Sequence, residues 1–191
     1  MKGLKLTDVL VTIVISIVFG IVYKLWGPLY YAVQPIGLHI DQLIYGMWFI
    51  AATVAYLIIR KPGVALLAET AAASAEFIAG SEWGLETLLF GLVQGLFAEI
   101  VFAIFRYKKF HIGVVVLAAA ASALGSLIMD FYKGYIDDLV FWNLLLYIGA
   151  RFVGAIIIAG VFAHYLVKSL EATGVTNLVR PASQKDYDAL K

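Results

Sequence analysis

The chain has 191 residues, of which 63% are hydrophobic and only 14% charged, with a formal net charge of +1. Soluble domains carry about 25% charged residues, so this composition excludes disorder, collagen and an ordinary soluble fold. The near-zero charge gives no sign of a nucleic-acid partner. With no cysteine, disulfides, cysteine-ligated metals and thiol nucleophiles are excluded too. The expectation is an all-α integral membrane protein with one domain.

A bilayer span needs about 20 mostly apolar residues. Six such segments are predicted in chain order: 7–26, 43–59, 63–79, 85–105, 112–129 and 144–167, forming a transmembrane domain over 1–168. The first apolar run is too long for a signal peptide and lacks a small-residue cleavage site, so it reads as a span. A polar cytoplasmic tail is expected over 169–191. Long uninterrupted apolar runs argue against a β-barrel.

Basic residues near helix ends set orientation. One side carries Lys2, Lys5, Arg60, Lys61, Arg106, Lys108, Lys109 and Lys168. The other has only Lys24 and Lys133, against Asp41, Glu82, Glu86, Asp130, Asp137 and Asp138. Both termini are therefore expected in the cytoplasm, and the chain in the cell membrane. Three outer connections, 27–42, 81–84 and 130–143, combine acids with aromatics.

Helices in lipid associate through small residues that let backbones approach. The fourth span has Gly91 and Gly95 in a GxxxG pattern, and the first has Ser16 and Gly20. Internal packing is the common use of such motifs. Docking to another membrane protein is the other, and Ser16–Gly20 is the better candidate, because the rest of its helix is Val/Ile-rich.

Charges inside a span cost about 2.5–3.5 kcal/mol each on insertion scales and usually mark function. Glu69 and Glu76 lie two turns apart on one face of the third span. Glu86, Phe90, Val93 and Gln94 form a stripe on the fourth, while Glu99 lies about 140° further round. On the sixth, Asn143, Tyr147 and Arg151 share a face at four-residue spacing. An arginine at this depth needs a carboxylate; Glu69 and Glu99 lie at similar depth, and a structural Arg151–Glu99 ion pair is the expected arrangement, with a polar pocket for a cationic or hydrogen-bonding solute as the other reading. Near the outer mouth, Tyr30, Trp83, Tyr132 and Trp142 read either as interfacial aromatics or as walls of a cation–π or stacking slot. No P-loop, zincin or nucleophile-elbow motif is present, and the His, Asp and Glu spacing suggests no metal site. Neither an enzyme nor an ATPase is expected from this chain.

The segments Leu67-Ala68-Glu69, Gly80-Ser81-Glu82-Trp83-Gly84-Leu85, the run from Gly91 through Gln94 to Glu99, and Phe105-Arg106-Tyr107 resemble the YkoE family. These are S-components, the substrate-binding subunits of energy-coupling-factor (ECF) vitamin transporters. The resemblance spans nearly the whole chain and implies a six-helix subunit with no cofactor. It implies a ligand, thiamin or its hydroxymethylpyrimidine precursor, and partners: a transmembrane T-component and ABC-type ATPase subunits. It places Trp83, Gln94 and Glu69 first among ligand contacts. Glu76, Glu86, Tyr30, Tyr132, Trp142, Asn143 and Tyr147 are further candidates, and Ser16 and Gly20 would dock the T-component. Two rivals are a proton-coupled secondary transporter working through Glu69 and Glu99, and a scaffold whose buried charges are purely structural.

Overall fold

The structure is a computed structural model and describes residues 3–179. All regular elements among them are helical. Helix α1 is Leu6–Val33. The second membrane segment is composite: α2 (Ile40–Ile44), a 3₁₀ turn over Tyr45–Phe49, and α3 (Ile50–Ile59). Helices α4 (Val64–Ile78), α5 (Glu86–Ile104) and α6 (Ile112–Tyr132) follow. The last segment runs unbroken through α7 (Phe141–Ala155), a π-helical stretch over Ile156–Phe162, and α8 (Ala163–Ala172).

Five helical stretches are long and apolar enough to cross a membrane: Leu6–Ile36, Ile40–Ile59, Glu86–Ile104, Ile112–Tyr132 and Phe141–Ala172. The expected third span is also a helix, but α4 has only 15 residues, about 22 Å against a hydrocarbon core of roughly 30 Å. The expected 27–42 loop is much shorter than predicted, because α1 continues through Pro28 to Val33. Proline removes one backbone bond and usually breaks a helix; here the helix holds for more than a turn beyond it. Of the expected polar tail, residues 169–172 complete α8 and Val175–Leu178 form a 3₁₀ turn. Its remainder, 180–191, lies outside the described residues.

Helix α4 sits between α1 and α5, and small residues set both contacts. A Cβ on Gly20 would lie 2.4 Å from the Ala75 Cβ, and one on Gly91 2.3 Å from the Ala73 Cβ. The Ser16 hydroxyl donates to the Ala68 carbonyl (3.0 Å). Ser16 and Gly20 are thus turned inward, and the expectation that they dock a partner is corrected. The outward face of α1 is instead Val14, Ile17, Val18 and Ile21, all exposed. Every residue of α3 is buried, which makes the second segment the centre of the bundle. At its N-terminal half, Gly46 and Gly154 bring it to backbone contact with α7; a Cβ on Gly154 would lie 2.0 Å from the Leu43 carbonyl oxygen.

Ion pairs gather the described ends of the chain at one end of the bundle. Lys61 pairs with Asp8 at the start of α1, and Arg60 with Glu171 near the end of α8 (2.9 Å). Lys5, Arg106, Lys108, Lys109 and Lys168 belong to the same end. Glu99 is here as well. Its carboxylate accepts from the N–H groups of Gly63 (2.6 Å), Ala65 (3.0 Å) and Leu66 (3.2 Å). It therefore caps the start of α4, whose first amides have no partner within the helix. This corrects the expected Arg151–Glu99 pair: a carboxylate committed to three amides at the basic end is not within reach of Arg151, which is bonded elsewhere.

Replacing Glu99 by Ala strands those amides and is expected to cost about 1–3 kcal/mol, read as a lower melting temperature in detergent. A double-mutant cycle of Glu99→Ala with Arg151→Ala is expected to give near-zero coupling; a coupling above about 1 kcal/mol would restore the discarded pair.

Candidate functional site

At the end opposite the basic cluster, α1, α4, α5 and the Tyr45–Phe49 turn enclose a cavity of about 100 Å³. Its aromatic wall is Tyr23 and Tyr30 from α1, Tyr45 and Trp48 from the 3₁₀ turn, and Trp83 from the α4–α5 connection. Trp48 and Trp83 meet edge to face, with ring centroids 5.3 Å apart. Tyr30 packs edge-on against both, at 5.5 and 6.1 Å, and Tyr31 stacks on Trp83 at 5.7 Å. Glu69 and Glu76 contribute from α4, Glu86, Phe90 and Gln94 from α5, and Asp130 from the end of α6. Gly91 and Ala73 let α4 and α5 approach closely enough to close the wall between them.

The four acids of the cavity differ sharply in their partners. Glu86, at the mouth, pairs with Lys133 (2.8 Å) and accepts from the Tyr135 hydroxyl. That carboxylate, helped by partial burial, pushes the Tyr135 hydroxyl up to about 12. Asp130 pairs with Arg151 (2.9 Å) and accepts from Tyr147 (2.9 Å). Glu69, fully buried, accepts from the Tyr23 hydroxyl (3.0 Å) and the Ala52 N–H (3.0 Å), while the Ala51 N–H donates to the Tyr23 oxygen (3.0 Å). Glu69 and Tyr23 together cap the start of α3, as Glu99 caps α4. Glu76 has only the Trp48 indole N–H at 3.2 Å and no cation paired with it among the described residues. Gln94 is nearly fully buried, lines the cavity, and its side-chain amide makes no hydrogen bond among the described residues. Glu76 and Gln94 are the polar groups left available to an occupant.

Behind the cavity lies a buried network centred on Arg151. Its guanidinium donates to Gln42 Oε1, Ser126 Oγ and the Tyr147 hydroxyl oxygen, each at 2.7 Å. It also lies over the Tyr45 ring, 3.6 Å from the centroid. Gln42 in turn donates to the Tyr30 oxygen (2.8 Å). Arg151 thereby holds two walls of the cavity, Tyr30 and Tyr45, without entering it.

Of the ten residues expected to touch ligand, Trp83, Gln94, Glu69, Glu76, Glu86 and Tyr30 line the cavity. Tyr147 does not; it belongs to the arginine network. Asn143, Tyr132 and Trp142 are exposed on the outside of the bundle, the last two at 80% and 73%, where interfacial aromatics belong. Sequence reasoning missed Tyr23, Tyr45, Trp48, Thr87, Asp130 and Tyr135. Tyr23 had a signal: the buried residues of α1 are Asp8, Thr12, Ser16, Gly20, Tyr23, Gly27 and Tyr30, a polar and small-residue stripe at helical spacing that runs into the cavity. Among the described residues, no three His, Asp or Glu side chains group as metal ligands.

A family model described as the permease component of an ABC-type cobalt transport system matches residues 7–125. YkoE of Bacillus subtilis (strain 168), named for a proposed role as an HMP/thiamine permease, is 35% identical over 189 residues, covering 93% of this chain and 89% of that protein. The chain belongs to the YkoE family. A crystal structure of an S-component of an ECF transporter superposes with a TM-score of 0.88 at 34% identity, covering 92% of this chain and 89% of that one. As a member of the YkoE family the chain is an ECF S-component-like transport protein of the membrane, and these relatives are permeases and S-components rather than enzymes.

Removing the Arg151 side chain leaves Asp130 buried without its cation, and Arg151→Met is expected to destabilise by about 3–5 kcal/mol. The double variant Arg151→Met with Asp130→Asn is expected to recover part of that loss, because no buried charge remains. Thermal unfolding in detergent reads both, and an unaltered melt for the single variant would remove the pair from the account of stability.

Proposed function

We propose that this chain is the substrate-binding subunit of an ECF-type importer, taking thiamin or hydroxymethylpyrimidine into the outer cavity. The supporting observation is the pairing of an unneutralised Glu76 with an unpartnered Gln94 amide inside a five-ring aromatic wall. An aminopyrimidine presents a ring-nitrogen acceptor beside an exocyclic amine donor. The Gln94 amide has the complementary donor and acceptor, and Glu76 accepts from the amine or offsets a nearby positive charge. Trp48, Trp83 and Tyr30 supply surfaces for a flat heteroaromatic ring. At about 100 Å³ the cavity is smaller than the roughly 300–1,000 Å³ of drug-sized pockets. That favours the single-ring pyrimidine over two-ring thiamin in this conformation.

The wider arrangement follows from the family reading. Six spans, with α4 as the short third, put both termini and the basic end in the cytoplasm by the positive-inside rule. A T-component and ABC-type ATPase subunits supply the energy, and no cofactor takes part. A proton relay through Glu69 and Glu99 is the weaker reading, since each of these carboxylates is committed to a different helix start. A pure scaffold gives no reason for a glutamine amide to open onto a cavity walled by aromatic rings.

Tryptophan fluorescence of the purified protein, titrated with each compound, tests the reading. Saturable quenching is expected with both, tighter for hydroxymethylpyrimidine; no response from a folded protein would sink the assignment. Trp83→Ala is expected to weaken binding by about tenfold, since an aromatic contact is worth about 1 kcal/mol beyond its buried area. Glu76→Gln is expected to weaken thiamin, a fixed cation, more than the neutral pyrimidine. Equal losses would mean that Glu76 does not act through its charge.

A further inference from the structure

Among the described residues, three basic side chains stand around the aromatic cavity, and each is held by an acid. Lys24 pairs with Glu82 (3.2 Å), Lys133 with Glu86 (2.8 Å) and Arg151 with Asp130 (2.9 Å). None of the three lines the cavity, whereas Glu69, Glu76, Glu86 and Asp130 do. Every charged side chain that an occupant meets is therefore a carboxylate. The start of α5 also opens here, at Glu86 and Thr87. The first amides of a helix ordinarily form a ready anion site. In this helix they are already bonded: the N–H groups of Glu86, Thr87 and Leu88 donate to the carbonyls of Trp83, Gly84 and Leu85 (3.3, 3.2 and 3.2 Å). Arg151 directs its other hydrogen bonds to Gln42, Ser126 and Tyr147.

We propose that this cavity excludes phosphate esters and takes the free alcohol, and that Glu86 sets this preference by holding Lys133. The inference rests on the ligand reading above, since hydroxymethylpyrimidine and thiamin each carry a primary alcohol that can be phosphorylated. A phosphate monoester carries about −1.5 to −2 charges at neutral pH, and its oxygens call for cations or amide donors. Here the ester would meet carboxylates instead, Glu76 within and Glu86 at the mouth. Glu86 acts in two ways. Its own charge repels an anion, and its bond to Lys133 withholds that cation from the cavity. A phosphorylated form must then lose its phosphate to water, as free alcohol and inorganic phosphate, before capture.

Purified full-length protein, titrated by tryptophan fluorescence with each alcohol and with its monophosphate, tests the proposal. The monophosphate is expected to bind about a hundredfold more weakly, because like charges brought together are strongly unfavourable. The neutral acetate ester of the same alcohol, of similar bulk, controls for size and is expected to bind more tightly than the monophosphate. Glu86→Gln releases Lys133 and is expected to cut the ratio of the two affinities by about tenfold. Glu86→Gln with Lys133→Gln offers no cation and is expected to restore most of the ratio. The readout is a ratio, so a general loss of affinity in these variants does not enter it. Alcohol and monophosphate binding alike, or the acetate losing as much as the monophosphate, would overturn the proposal. An unchanged ratio in Glu86→Gln would overturn the part given to Glu86. If neither alcohol binds, the ligand assignment fails and takes this inference with it, a result distinct from an alcohol and its ester binding alike. The wild-type comparisons need no variant and carry the test even if Glu86→Gln does not fold.

Discussion

A helix that begins buried against other helices has amide groups with no water to bond, and this bundle depends on how it meets that constraint. Helices α3 and α4 both start where the surroundings are protein. Each start is bonded by a glutamate from the next helix along: Glu69 of α4, with Tyr23, caps α3, and Glu99 of α5 caps α4. The arrangement satisfies the carboxylates and the amides together, and an acid at a helix start is also favoured by the helix dipole. It ties three consecutive segments into a chain of contacts. It also makes possible the broken second segment, whose 3₁₀ turn carries Tyr45 and Trp48 into the aromatic cavity.

Charge around the aromatic cavity follows from the same need. Arg151 could not be buried alone, and its five polar and aromatic neighbours account for its donors. Because Asp130 is matched by Arg151 and Glu86 by Lys133, a cavity lined by four acids is far less negative than its composition suggests. What remains is Glu76 with a single indole N–H, one unbonded amide and a set of rings, while Glu69, also without a cation, is held by the Tyr23 hydroxyl and the Ala52 N–H. These are the groups on which the proposed binding of a small polar heterocycle rests.

The two ends of the molecule differ in polarity. The acidic, aromatic cavity faces the side where the sequence carries few basic residues, and the lysines and arginines gather at the opposite end. Arg60 and Glu171 link the central segment to the last helix at one end, and Gly46 and Gly154 bring the same two segments to backbone contact at the other.

The amino-acid sequence determined the class, five of the spanning stretches within a few residues at most ends, the division into a basic and an acidic end, and six of the cavity residues. These are local quantities: hydropathy over about 20 residues, charge near helix ends, and which residues share a face at 3.6-residue spacing. Partnership was not local. Glu99 and Arg151 look like a pair because both are charges inside spans, yet each found a partner from another element: helix amides for one, Asp130 for the other. Ser16 and Gly20 read equally well as an outward or an inward motif, and only the packing of α1 on α4 chose between them. Trp48 and Tyr45 entered the cavity because the second segment breaks into a 3₁₀ turn, which its apolar sequence does not announce. Which side chains meet depends on the rotation and depth of each helix against its neighbours, and the tertiary structure alone fixes these.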